Sequence, residues 1–138
     1  MNAKIITLLD ADDNRPAVQE GESANVTGSF QNGDDAIAKA AILSVTFTLY
    51  DEATAAVING RDGQDILDAN GGSITAAGVL TLKLQPADNC VVGSIAAGRL
   101  EPHIGRVKWT WTDGLLTRTG IQEFRIYVEK LATPEEPE

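Results

Sequence analysis

The chain carries one histidine, His103, and one cysteine, Cys90. That scarcity limits its chemistry. A three-histidine zinc site is impossible, and so is a cluster of several cysteines and histidines. A hydrolase triad needs a nucleophile, a base that activates it and a third group that orients the base. His103 with Ser94 or Cys90 meets the arithmetic, but neither candidate nucleophile sits in a nucleophile-elbow sequence. His103 follows Pro102 in a loop-like segment, so it reads as a surface histidine or one at the start of a strand. Cys90 reads as a small buried apolar residue. The expectation is no catalytic residue and no cofactor.

Carboxylates are the other candidates. The stretch Asn59 to Gly72 (NGRDGQDILDANGG) places Asp62, Asp65, Asp68 and Asn70 among glycines, around the apolar pair Ile66-Leu67. Oxygen ligands on glycine-permitted turns are what Ca²⁺ requires. The spacing does not match an EF-hand loop, which has acidic positions at alternate residues and a terminal glutamate. Asp and Asn side chains also cap turns without any ion. The expectation is therefore no metal, with Asp62, Asp65 and Asp68 as the residues that would hold one. Asp10, Asp12 and Asp13 are read the same way. Gly60-Arg61-Asp62-Gly63 lacks the lysine-hydroxyl pair and following helix of a phosphate loop. Arg61 and Asp62 form either a local salt bridge on a turn or a guanidinium offered to a partner. Trp109 and Trp111 share one strand face. They are core residues in one reading and an aromatic platform for a sugar or partner in the other.

These residues must be held by strands. Lys4–Leu9 (KIITLL) is β-branched and apolar, and predicts a first strand. Val18–Glu22 reads as a turn into the next one. Ala24, Val26, Gly28 and Phe30 alternate with polar residues at period two, as do Leu43, Val45, Phe47 and Leu49. Both patterns predict half-buried strands. Ala36–Ala41 permits one helical turn, and Ala55–Ile58 a short partner strand. Residues 59–72 read as a long ordered loop pinned by Ile66-Leu67, with room for a helical turn. Ile74–Ala76 starts a strand, and Leu80, Leu82 and Leu84 give another. Pro86–Asn89 reads as a helical turn, and Cys90–Ala97 as loop or strand. Val107, Trp109 and Trp111 then alternate with Arg106, Lys108, Thr110 and Thr112. Asp113-Gly114 signals a hairpin. The return strand, Thr117–Glu129, puts Phe124, Ile126 and Val128 on one face.

Some seven to nine strands without a long helix predict an all-β fold, an immunoglobulin-like sandwich of two antiparallel sheets with one long ordered loop. Residues 1–17 form an N-terminal strand or arm, 18–131 the domain, and 132–138 a disordered acidic tail. At 138 residues the chain suffices for one domain with its own core. The net charge of −9, with no basic run, excludes nucleic acid as a partner and disfavours an anionic membrane surface. A single cysteine forms no intrachain disulfide and fits synthesis in a reducing cytosol. Met1–Leu9 lacks the features of a signal peptide, and no stretch approaches the roughly 20 apolar residues of a membrane span.

The order of several segments resembles small immunoglobulin-like proteins of tailed bacteriophages. The segments are Val18–Phe30 (VQEGESANVTGSF), Phe47–Asp51, Ile58–Ala69 (INGRDGQDILDA), Leu80–Asp88 (LTLKLQPAD) and the closing hairpin (KWTWTDG…GIQEFRIYV). Together they cover most of residues 18–129. The resemblance implies a virion structural component of head–tail connector, tail, baseplate or capsid-decoration type. It implies no enzyme activity. Its implied partners are other copies of the chain and neighbouring virion proteins, in a particle made in the host bacterial cytoplasm. The 59–72 loop is then the first candidate contact, through Arg61, Asp62, Ile66 and Leu67. A carbohydrate-binding or adhesion module on the same fold, with Trp109 or Trp111 exposed, is the alternative. A small hydrolase using His103 is the third reading.

Overall fold

A computed structural model describes residues 17–32 and 35–132. The expected strand at Lys4–Leu9, the acidic residues Asp10, Asp12 and Asp13, and most of the acidic tail lie outside the described residues. The fold is all-β. Its strands are β1 (Ala17–Gln19), β2 (Ala24–Ser29), β3 (Gln31–Asn32), β4 (Asp35–Ala36), β5 (Ile42–Asp51), β6 (Gln64–Asp65), β7 (Gly72–Ile74), β8 (Val79–Leu84), β9 (Leu100–Asp113) and β10 (Leu116–Glu129). The larger sheet runs β1-β10-β9-β5-β6, the smaller β2-β8-β7, and β3 pairs with β4. All pairings are antiparallel except β1 with β10.

Period-two alternation explains why the two larger sheets face each other. Val45, Phe47 and Leu49 from β5, Val107, Trp109 and Trp111 from β9, and Ile126 and Val128 from β10 turn inward. Val26 from β2 and Leu80, Leu82 and Leu84 from β8 meet them in one apolar cluster, where Phe30 lies 5.0 Å from the Trp109 ring. This arrangement is consistent with a β-sandwich. Burying each large aliphatic or aromatic side chain contributes roughly 1.5–3 kcal/mol, which makes this cluster the main source of stability.

Three local expectations change. Leu43 is exposed, because the β5–β9 register shifts between Ile42 and Ser44. The bulge turns Ile42 inward in its place. Val18 and Gln19 form a strand beside β10 rather than a turn, since Val18 finds a place in the core. The only regular helices among the described residues are single 3₁₀ turns at Lys39–Ala41 and Pro86–Asn89. In the 59–72 loop a two-residue strand, β6, replaces the possible helical turn.

Two β9–β10 glycines are fixed by close packing. A Cβ on Gly120 would stand 2.6 Å from the Trp109 ring, and one on Gly105 would stand 2.3 Å from the Phe124 ring. The sheet thus leaves room for its largest side chains by omitting side chains on the neighbouring strand.

Candidate functional site

The residues with chemical potential fall into two buried polar clusters and one outer surface. The first cluster centres on Arg61, which is 4% exposed. Its guanidinium grips the Asp88 carboxylate through two bonds, Nε to Oδ1 at 2.7 Å and Nη2 to Oδ2 at 2.9 Å. Nη1 donates to Gln64 Oε1 and to the Asn70 carbonyl. Asp88 also accepts from the Asn59 amide and the Gln85 N–H. The Arg61 guanidinium lies over the Phe47 ring. Burial alone would raise the Asp88 pKa, but the Arg61, Asn59 and Gln85 donors outweigh it and hold the carboxyl below its ordinary value. This network ties the 59–72 loop to the turn after β8.

Arg61 is therefore not a guanidinium offered to a partner, nor half of a local pair with Asp62. Ile66 is fully buried, with its N–H bonded to Val45 O, and also leaves the interface role. Leu67 is half-buried against the core, and Asp62 alone of the four is exposed. Ile66 joins the main apolar cluster between the sheets, and Leu67 packs against it.

The loop's acidic residues cap turns. Asp65 Oδ1 accepts the Leu67 N–H at 2.9 Å, and Asp68 Oδ1 the Ile74 N–H at 3.1 Å. Asp68 Oδ2 pairs with Lys39. Asn59, Asp68 and Asn70 adopt positive φ, as do Gly63 and Gly71. Asn, Asp and Gly are the residues that tolerate this conformation, which accounts for the composition. Asp62, Asp65 and Asp68 do not converge as a group that could hold an ion; among the described residues one such group exists, elsewhere.

That group is Asp51, Glu101 and His103, the second buried cluster. Glu101 and His103 lie two residues apart on the inward face of β9, and Asp51 stands opposite His103 in the β5–β9 register. One ligating atom of each lies within 4.8 Å of the others. Glu101 accepts the Val92 and Gly93 N–H groups, each at 2.7 Å, and its Oε1 is 2.6 Å from His103 Nε2. Burial raises the Glu101 pKa, but Val92, His103 and Gly93 lower it by more, so the carboxyl sits below its ordinary value. Asp51 Oδ2 accepts from the Thr54 N–H and hydroxyl. Asp51 Oδ1 and His103 Nδ1 are buried without a partner.

His103 is thus wholly buried, not a surface histidine. The period-two register of Val107, Trp109 and Trp111, continued back along β9, puts residues 103 and 101 on the same inward face. Pro102 obscured this, because proline argues against a central strand. It is accommodated where β5 ends, with the Glu52 N–H donating to its carbonyl. Among the described residues no hydroxyl or thiol bonds to the imidazole. Ser94 is exposed. Cys90 is exposed rather than buried, and its thiol pKa is raised by desolvation and by the charges of Glu101 and Asp88.

The outer face of the large sheet has two halves. Near the end of β5, Arg106 pairs with Glu123 and Tyr50, and Arg125 forms a two-bond pair with Glu52. Toward the β9–β10 turn, Thr110 faces Thr119 and Thr112 faces Thr117. Ser44 bonds to Thr110, and Ile121 is 55% exposed. Leu115 and Leu116 at the hairpin tip are largely in solvent, as is Leu43. Trp109 and Trp111 are both in the core.

No protein-family model matches the chain, and no curated protein matches it.

Proposed function

We propose that this chain is a non-enzymatic structural protein of a tailed-phage virion. In this reading it is an immunoglobulin-like two-sheet sandwich that binds copies of itself and neighbouring capsid, neck or tail proteins. The observation that carries the binding role is the outer face of the β9–β10 hairpin. On a chain of net charge −9, this face offers threonine hydroxyls and the exposed Ile121 opposite Lys108, with Leu115 and Leu116 exposed at the adjoining hairpin tip and Leu43 at the β5 bulge. Copies of an acidic protein repel one another in general, so this partly apolar half of the hairpin, which carries Lys108 and no outward carboxylate, is where they meet at least electrostatic cost. The phage setting rests on the resemblance of segment pattern and order.

The alternative, a sugar-binding module with an aromatic shelf, loses its platform because both indoles are buried. The hydrolase reading has no nucleophile bonded to His103.

Light scattering during size exclusion tests the binding role. The wild-type chain forms an oligomer, and Leu116→Lys with Ile121→Lys reduces it to a monomer of unchanged circular dichroism. A wild-type chain monomeric at its highest soluble concentration removes the self-association. Mass spectrometry of purified particles tests the setting; absence of the chain from virions ends the phage reading.

A further inference from the structure

The geometry points to a buried site for one first-row divalent transition ion, of the zinc, cobalt or manganese kind. Asp51 and His103 bind it through Oδ1 and Nδ1, two of the four buried side-chain atoms without a partner among the described residues, and Glu101 orients the imidazole.

Three observations converge. The first is charge. Asp51 and Glu101 are 2% and 5% exposed, and their nearest ligating atoms lie within 4.8 Å of each other and of His103. Two carboxylates so close in a low-dielectric interior repel strongly, and a dication removes that repulsion. The second is incomplete satisfaction. Asp51 Oδ1 and His103 Nδ1 are buried with nothing to bond to, although the other polar atom of each side chain, Asp51 Oδ2 and His103 Nε2, is bonded. Native interiors leave few such atoms, and each costs about 1–3 kcal/mol when unmet. The third is the arrangement behind the ring. Glu101 is held by the Val92 and Gly93 N–H groups and meets His103 Nε2 at 2.6 Å. A carboxylate that accepts one imidazole N–H fixes the tautomer and leaves the other nitrogen with its lone pair. Metal-bound histidines use the same carboxylate–imidazole pairing.

The donor types choose the ion. One imidazole nitrogen with carboxylate oxygens suits zinc and its first-row neighbours, whereas calcium takes six to eight oxygens. At metal–ligand bonds of about 2.0–2.2 Å, ligands of a tetrahedral ion stand ~3.4 Å apart. The ligating atoms of Asp51, Glu101 and His103 lie within 4.8 Å of one another, so the side chains draw closer when the ion enters. Water completes the coordination. Val92 and Gly93, whose N–H groups hold Glu101, are exposed, so the cluster lies one layer beneath the surface.

The full chain, stripped with a chelator, is titrated with Co²⁺ and then Zn²⁺ near neutral pH. One ion binds per chain, read by cobalt d–d absorption and by calorimetry. Asp51→Asn abolishes saturable binding, and Glu101→Gln weakens it by about 10–100-fold. The triple variant Asp62→Asn, Asp65→Asn, Asp68→Asn binds as the wild type does. If Asp51→Asn does not fold, the wild-type chain decides alone. His103 is the only histidine, so its imidazole signals in NMR are unambiguous, and zinc must shift them. No stoichiometric binding, binding that survives in folded Asp51→Asn, or unmoved His103 signals overturns the site. Water or a protonated imidazole would then satisfy the two atoms.

Discussion

Two buried polar clusters sit under loops of the same sandwich, and they differ in completeness. Around Arg61 and Asp88 the donors and acceptors match: four bonds from Arg61, Asn59 and Gln85 converge on the Asp88 carboxylate, and Arg61 Nη1 donates to Gln64 and to the Asn70 carbonyl. Around Glu101 and His103, two atoms are left over. A saturated network has one low-energy arrangement and acts as a staple. An unsaturated one carries a standing cost unless something else enters. The difference explains why the arginine cluster reads as structure and the histidine cluster as a site.

The sharpest break of that comparison is Asp88→Ala. It strands a buried guanidinium, and removing one partner of a buried pair costs about 3–5 kcal/mol. Urea unfolding measures this. Arg61→Met with Asp88→Leu should be far less destabilising than Asp88→Ala, because no charge is then left unpaired. A double variant as unstable as the single one would mean that the staple's geometry, not its charge balance, matters.

A smaller effect is expected from Glu101→Gln. The variant keeps the side-chain shape, but its amide nitrogen cannot accept, so it loses the bond from either Val92 or Gly93 and turns the other into a neutral one. Measured in chelator, the loss should be about 1–3 kcal/mol, at the scale of unsatisfied or weakened buried bonds. A loss equal to that of Asp88→Ala would erase the distinction between the clusters.

The smallest effect is one of pH. The folded Asp88 pKa lies below the ordinary 3.8. Its contribution is therefore present above about pH 3.8 and fades as pH falls through the lower folded value. The stability difference between wild type and Asp88→Asn should be constant near neutral pH and shrink below pH 3.8. A difference that is flat across that range would mean that Asp88 does not titrate differently in the folded chain.

Much of this was legible in residue order. The alternation at Ala24–Phe30, Val79–Leu84 and Gly105–Thr112 predicted strands and their inward faces, with both tryptophans in the core as one of the two readings had it. Asn, Asp and Gly in the 59–72 loop mark turns, and they do take the positive-φ positions. Leu43 defeated the pattern because a bulge shifts parity without any residue type announcing it. Arg61 departs from its local reading because its partner, Asp88, lies 27 residues away. No local motif marks Asp51 or Glu101. Each looks like an ordinary strand-end acid until register brings it beside His103.

The sequence by itself determined the periodic elements, the turn chemistry and the excess of acid, because these depend on neighbours one to four residues apart. Tertiary structure decided which polar residues are buried together. Pairing across β5 and β9, and closure of the 90–98 segment over Glu101, bring groups from distant positions into one low-dielectric volume. Charge, hydrogen bonding and ion affinity are set by that volume, and no local pattern encodes it.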